Sequence, residues 1–274
     1  MAVAMPQNQK SYWTSISTNI EDHLKTVVQV QSPLSVYEPM YYLVFSSPRT
    51  MAPALSIAAC ELVGGQPEKA MTAASVLHLM YAASTARHRF LDRSMGINHH
   101  HQAFPANIEL LTVDNILSSV YELLARPSIN HHPDDKPEQI LKVIIEISRA
   151  MGAEGIVKGL YLQKQRTGSV SDGKVESGVY SCGAVCGAIL GGATREEIER
   201  LRSFGRYAGM IHGLMSSMAT DEEKGLNEMV DRLRSLALKE LEYFDHHPMV
   251  ETISSILHLD SLLQFTSKQT QSLS

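Results

Sequence analysis

The stretch Ala58-Ala59-Cys60-Glu61-Leu62-Val63-Gly64-Gly65 is the part of the chain that decides the fold. It closes a helical pattern that starts at Leu55, and its glycine pair predicts a C-cap. Pro67 follows almost at once, and proline in a first turn is typical of a new helix. We therefore expect two helices joined by a tight turn, the second of which runs to about Arg89.

The remainder of the chain has the same helical character, because apolar residues recur at helical spacing and no alternating strand pattern is present. The predicted further helices are Ser11–Val28, Ile108–Ala125, Pro137–Ala150, Tyr180–Leu190, a helix started by a Thr194/Glu197 capping box, Leu226–Phe244 and Val250–Leu263. Short helices or turns are expected around Pro33, Pro39, Pro48 and Pro53, and loops at Arg93–Pro105, Arg126–Pro137 and Thr167–Gly178.

This pattern predicts one all-α domain of many helices, spanning residues 11–265. Residues 1–10 are expected to be a disordered N-terminal tail, and residues 266–274 a polar C-terminal tail. The apolar fraction of the 274 residues is 44%, which is enough for a sizeable core.

Charge and cysteine content narrow the class of protein. The net charge of −5 gives no electrostatic reason to expect nucleic acid or an anionic membrane as a partner. Three cysteines are too few for a secreted disulfide framework and suit a reducing compartment. No apolar run reaches the roughly 18 residues that a membrane span needs.

The run Cys182-Gly183-Ala184-Val185-Cys186-Gly187 places two thiols at i and i+4 on one helix face. Three interpretations are open. The thiols could be half of a zinc site, although no further ligands are spaced to complete it. They could be small buried apolar residues. They could also belong to a helix that another chain approaches closely, because Gly183 and Gly187 occupy the adjacent strip.

Other clusters are less informative. Asp134 and Asp135 resemble an acidic metal motif, but prolines bracket them, so we interpret them as a loop before the helix that starts at Pro137. The histidines of His99–His101, His131–His132 and His246–His247 are interpreted as solvated surface, since adjacent loop histidines rarely converge on a metal without a scaffold.

Four stretches together resemble the trans-prenyl diphosphate synthase family, and the likeness extends from Tyr12 to about Phe244. They are Ala58–Gly65, Glu109–Asp114, Ile145–Ala150 and Cys182–Gly192. The resemblance implies an isoprenoid-synthase-type helix bundle. In that family two aspartate clusters hold Mg²⁺ on the allylic diphosphate, because the metal neutralises the charge that develops on pyrophosphate as it leaves.

At the matching positions this chain has other residues. His88 and Arg89 stand where the first paired aspartates are expected, and Ser216 and Ser217 where the second are expected. Other substrate-binding elements also depart from the family: Arg49 alone remains of a basic stretch, His212-Gly213 replaces a Phe-Gln pair, and Val175-Glu176 falls near a Lys-Thr pair. The resemblance therefore implies a chain with no catalytic residues, no metal and no cofactor of its own.

The Cys182–Cys186 motif resembles the subunit-contact motif of the small subunits of plant geranyl(geranyl) diphosphate synthases. A second such motif is expected at residues 56 and 60, where this chain has Ser56 and Cys60. The resemblance implies that Ser56, Cys60, Cys182, Gly183, Cys186 and Gly187 contact a partner. That partner would be a catalytic large subunit of the geranylgeranyl diphosphate synthase type, which carries Mg²⁺.

By resemblance, the complex is a heterodimer that pairs into a heterotetramer in the plastid stroma. It would shift the product toward C10 geranyl diphosphate for monoterpene synthesis, and most of a transit peptide would be absent from this sequence. Two alternatives are a weakly active prenyltransferase that recruits Mg²⁺ through acids such as Asp114, and a structural helical module with no enzyme partner.

Overall fold

A computed structural model describes residues 6–94, 103–126, 136–158, 174–216 and 223–258. Within these ranges the chain is helical and contains no β-strand. The helices are α1 (Gln7–Val27), α2 (Leu34–Phe45), α3 (Ala52–Leu62), α4 (Pro67–Ser94), α5 (Ala106–Ala125), α6 (Pro137–Met151), α7 (Lys174–Gly191), α8 (Arg195–Ser216), α9 (Glu223–Leu241) and α10 (Met249–Ser254). Short 3₁₀ turns, Glu242–Phe244 and Ser255–His258, follow α9 and α10.

The helix ends that carry a specific capping signal lie where the sequence predicts them. Gly64 has φ +84° and ends the turn after α3, where the Gly65 N–H donates to the Cys60 carbonyl at 2.8 Å. The capping box before α8 is confirmed, because the Thr194 N–H donates to Glu197 Oε2 at 2.6 Å and the Glu197 N–H donates to Thr194 Oγ1 at 3.3 Å.

Two expected irregular segments are partly helical. Helix α1 begins at Gln7, so the last residues of the expected tail 1–10 are helical; the Pro6 carbonyl accepts the N–H groups of Gln9 and Lys10 there. Helix α7 begins at Lys174, inside the expected loop Thr167–Gly178. Contact with α8 orders this extra turn: a Cβ placed on Gly209 would lie 2.4 Å from the Glu176 carbonyl.

Several expectations concern residues outside the described ranges. They include Asp134 and Asp135, the histidines of His99–His101 and His131–His132, Ser217, and the tail 266–274. No described helix is both long enough and apolar enough to cross a membrane.

Helix α7 is the centre of the bundle and packs against α3, α4, α6 and α8. One hydrophobic core runs from Trp13 in α1 to Leu257 near the end of the described chain. The Trp13 indole N–H donates to Ser255 Oγ at 2.9 Å, and the Tyr12 hydroxyl bonds the Glu61 carboxylate. Helix α1 is thereby joined to both α3 and the C-terminal 3₁₀ turn.

The contact between α3 and α7 is unusually close, because glycines on α7 face the backbone of α3. A Cβ placed on Gly183 would lie 2.5 Å from the Ala52 carbonyl oxygen, and one on Gly187 would lie 1.8 Å from the Ser56 carbonyl oxygen. Neither position has room for any side chain. The two helices can therefore meet only because these residues are glycines.

This contact predicts that Gly187→Ala destabilises the fold. Its Cβ would meet backbone that cannot move without displacing α3, and overpacking of this kind costs about 1–3 kcal/mol or more. We expect the melting temperature to fall by roughly 5–10 °C. Gly178→Ala is the matched control, because nothing lies within 4 Å of its new Cβ. Equal melting temperatures for the two variants would contradict the packing account.

Candidate functional site

The positions expected to carry the first metal ligands lie in the last turns of α4. His88 and Arg89 are both half-buried there. The guanidinium atoms Nε and Nη2 of Arg89 are buried without a hydrogen-bond partner. A buried cation raises the electrostatic cost of bringing Mg²⁺ to this end of α4, whereas a pair of carboxylates would lower it.

The second expected position is the C-terminal end of α8. The Ser216 hydroxyl donates to the His212 carbonyl oxygen at 2.8 Å, so it is used in the local helix structure. Ser217 lies outside the described residues. A neutral hydroxyl is a weak ligand for a hard dication. Among the described residues, no group of three His, Cys, Asp or Glu side chains is arranged to hold a metal ion.

A cluster of buried polar side chains lies between these two helix ends. Glu176 of α7 has one carboxylate oxygen without a partner, and both ring nitrogens of His212 in α8 are unpaired. The Tyr180 ring lies 5.4 Å from the His212 ring. Burial raises the pKa of Glu176, and the nearby charge of His88 opposes this rise; burial lowers the pKa of His212. The cluster therefore favours neutral forms of both side chains.

Sequence reasoning placed Glu176 and His212 only as replacements for family residues and did not anticipate their unpaired buried atoms. The sequence does contain a titratable residue on each of the two helices, Glu176 near the start of α7 and His212 near the end of α8. Spacing along one chain does not reveal the convergence of these two side chains. It requires the α7–α8 packing at Gly209 to be known.

The alternative metal ligand, Asp114, does not face this cluster as a free carboxylate. It is on α5, its side chain is 67% exposed, and it lies 3.8 Å from the Arg87 guanidinium. Its nearest charged neighbour is therefore a cation, which competes with metal binding. The geometry gives no support to an Mg²⁺ site built on Asp114.

The six residues expected to contact a partner are instead buried inside this chain. They are Ser56, Cys60, Cys182, Gly183, Cys186 and Gly187. Ser56, Cys60 and Cys186 are each 0% exposed, and Cys182 is 4% exposed. Their small size serves the approach of α3 to α7 within this chain. A direct contact of these residues with a partner stays a prediction.

The thiols behave as small apolar groups in this packing. Cys182 Sγ lies 3.9 Å from Cys186 Sγ, and the Cys60 thiol donates to the Gln66 carbonyl at 3.3 Å. Burial raises the pKa of Cys60 to about 12, so the reactive thiolate form is suppressed. Of the three interpretations of the Cys182–Cys186 motif, the structure supports buried small residues.

A surface that is suited to a partner lies elsewhere, on α5 and α6. We call it the α5–α6 face and define it by five exposed apolar side chains, namely Leu110, Leu111, Tyr121, Leu141 and Ile145. Leu111 and Leu141 are 64% and 58% exposed. The Tyr121 hydroxyl lies 3.3 Å from Ser148 Oγ, which joins the two helices across this face.

Helix α6 has apolar residues on two sides, and helical periodicity predicts only the buried one. Val143 and Ile147 form the buried stripe that helical periodicity predicts. Leu141 and Ile145 lie on a second apolar stripe, four residues apart, that faces solvent. A helix with apolar residues on two faces is typical of one that packs on both sides.

The buried carboxyl of Glu176 predicts a pH-dependent stability. Its raised pKa means that the folded state binds the proton more tightly than the unfolded chain, so stability falls as pH rises above about 4.5. Glu176→Gln should therefore raise the melting temperature at pH 8 by a few degrees and change it little at pH 4. Glu154→Gln, at an exposed position, is the control. If Glu176→Gln changed the melting temperature equally at both pH values, this assignment would be contradicted.

Comparison with known proteins accords with this geometry, although no family model matches the chain. A Cannabis sativa protein, heterodimeric geranylgeranyl pyrophosphate synthase small subunit 2, chloroplastic, is 45% identical over 265 residues, 91% of each chain. The solved geranyl diphosphate synthase small subunit from Antirrhinum majus is 38% identical, with a TM-score of 0.82 over 93% of this chain and 100% of that chain.

A mint deletion mutant of heterotetrameric geranyl pyrophosphate synthase, solved in complex with ligands, is also 38% identical. Its TM-score is 0.80, and the match covers 90% of this chain and 99% of that chain. These structures confirm the predicted isoprenoid-synthase-type fold. The chain belongs to the small-subunit family of heteromeric geranyl and geranylgeranyl pyrophosphate synthases.

Proposed function

We propose that this chain is a non-catalytic regulatory subunit that binds a catalytic large subunit of the geranylgeranyl diphosphate synthase type. The observation that carries the proposal is the combination of an exposed apolar α5–α6 face with Arg89 and Ser216 at the expected metal positions. The names of its relatives describe the small subunit of a heterodimeric synthase and a heterotetrameric synthase, which agrees with such a partner.

The proposed lack of catalysis follows from charge. Loss of pyrophosphate from an allylic diphosphate requires cations that are held against the leaving group, and carboxylates are the ligands that hold Mg²⁺ in such sites. The described residues at and beside the expected metal positions are Arg89, Ser216, and Glu176 and His212, whose burial favours their neutral forms. The Mg²⁺ ions of the reaction would accordingly be held by the partner.

The proposed binding surface is the α5–α6 face. Several large apolar side chains exposed on two adjoining helices are typical of a site of protein association. Leu141 and Leu111 are the most exposed residues of this face. Burying them against a second pair of helices would stabilise a heterodimer, and two such heterodimers would form the heterotetramer.

The regulatory effect would act through the partner's conformation. If the large subunit has a state with a shallow product pocket or a fast-opening lid, binding that favours this state shortens the product. We propose that the shift is toward C10 geranyl diphosphate, used for monoterpenes, and that the complex works in the plastid, since the relatives are chloroplastic.

The first test is the activity of the isolated chain. We expect no condensation of isopentenyl and dimethylallyl diphosphates at any Mg²⁺ concentration, because the chain holds no metal against pyrophosphate. Radiolabelled product formation, with the large subunit alone as positive control, measures this. Turnover by the purified chain that disappears with EDTA would favour the weakly active prenyltransferase instead.

The second test is product length. A large subunit co-purified with this chain should release a greater C10 fraction than the large subunit alone, measured by chromatography of the dephosphorylated products. An unchanged distribution from an intact complex would remove the regulatory role. Failure of the two chains to co-purify would favour a structural module without an enzyme partner.

The third test locates the interface. Ile145→Asp should weaken the complex by roughly ten- to a hundredfold, since a charge buried in an apolar contact is costly. Leu238→Asp on α9 is matched to it, because Leu238 is 43% exposed and Ile145 is 41% exposed. Affinities measured by calorimetry should separate the two. Equal loss of affinity in both variants would place the contact elsewhere.

A further inference from the structure

Helix α2 presents a second apolar surface that the fold leaves open. Its twelve residues include a single charged side chain, Glu38. One side of the helix is buried in the core through Met40, Leu43 and Val44. The opposite side carries Leu34, Tyr41 and Tyr42, with exposed fractions of 60%, 38% and 37%, and the exposed Glu38 lies among them, four residues after Leu34.

The aromatic residues of α2 are held in place rather than free in solvent. The Tyr41 ring packs on Phe45 with centroids 4.4 Å apart, and the Tyr42 ring meets Phe104 edge-on at 5.6 Å. We call the exposed residues Leu34, Tyr41 and Tyr42 with Phe104 the α2 aromatic face. Rigid aromatic groups lose little entropy on binding, so they are effective in protein contacts.

The α2 aromatic face adjoins the α5–α6 face. Phe104 lies just before the start of α5, and the Asn115 side-chain amide donates to the Met40 sulfur at 3.5 Å, so α2 lies along the first half of α5. Leu111, the most exposed residue of the α5–α6 face, is one turn before Asn115. The two apolar surfaces therefore meet along α5.

The α5–α6 face alone is smaller than the surface that a stable protein interface buries on one partner. A stable protein interface buries about 800 Å² on each partner. Five side chains that are about half exposed offer roughly 500 Å², since a large apolar side chain has on the order of 200 Å². The α2 aromatic face is the adjacent apolar surface that can supply much of the remainder.

We propose that the α2 aromatic face is part of the contact with the large subunit, so that the interface runs from α6 across α5 to α2. This inference rests on the proposed function. It commits to a partner surface that is largely apolar and offers a cation or a hydrogen-bond donor to Glu38, because this exposed carboxylate is the single charge of α2 and lies on the same side as Leu34 and Tyr41. It also assigns Tyr41 and Tyr42 a role in binding.

The test compares the affinities of four purified full-length proteins for the large subunit by calorimetry. These are the wild type, Tyr41→Asp, Ile145→Asp as the interface reference and Leu238→Asp as the exposed control. We expect Tyr41→Asp to weaken binding at least tenfold and Leu238→Asp to change it less than twofold. Tyr42→Ser is the second variant, to be used if Tyr41→Asp fails to show wild-type circular dichroism and melting.

The outcomes separate the two proposals. Absence of wild-type binding overturns the proposed function. Wild-type binding that Ile145→Asp weakens, and that Tyr41→Asp and Tyr42→Ser leave within twofold, overturns this inference alone. The isolated chain should also be a monomer at micromolar concentration by analytical ultracentrifugation. A homodimer that Tyr41→Asp dissociates would assign the face to a second copy of this chain and overturn the inference.

Discussion

The close approach of α3 and α7 is the constraint on which the rest of the structure depends. At Gly183 and Gly187 the backbone of one helix fills the space where a side chain of the other would stand. Gly191 continues this contact, since its Cβ would lie 2.7 Å from the Cys60 carbonyl oxygen. Because α7 also packs on α4, α6 and α8, displacing it from α3 would disturb its contacts with these three helices as well.

Because of this constraint, the α3–α7 packing does not depend on which residues stand at the expected metal positions. The α3–α7 contact runs along α3 from Ala52 to Cys60 and along the second half of α7, whereas the expected metal positions lie in the last turns of α4 and α8. The residues at the expected metal positions, His88, Arg89 and Ser216, take no part in this contact. The proposed partner surface lies outside it as well, on α5 and α6.

The sequence predicts much of the fold because the relevant signals are local. A glycine with positive φ, such as Gly64, and a capping box such as Thr194 with Glu197 specify helix ends without tertiary information. Helix α2 was not predicted at its full length, because Pro39 normally interrupts a helix; here burial of Pro39 and its neighbours in the core outweighs that cost.

The functional surfaces were harder to predict, since small residues at i and i+4 indicate close helix packing without indicating which helix approaches. Cys182 and Gly183 fit an intrachain contact and a partner contact equally well from their spacing, and the structure places both against α3 or within the core of this chain. Exposed apolar residues such as Leu141 are difficult for the opposite reason. In the sequence they have the spacing of core residues, and only the structure shows which face of the helix is buried.

In this chain the small-residue contact is internal, and we propose that partner binding uses the exposed apolar surface of α5, α6 and α2. Hydrogen–deuterium exchange of this chain, alone and with the large subunit, tests it most directly. The account predicts slower exchange in α5, α6 and α2 on binding, with α7 slow in both states. Slower exchange confined to α8 and α9, with α5 and α6 unchanged, would contradict it.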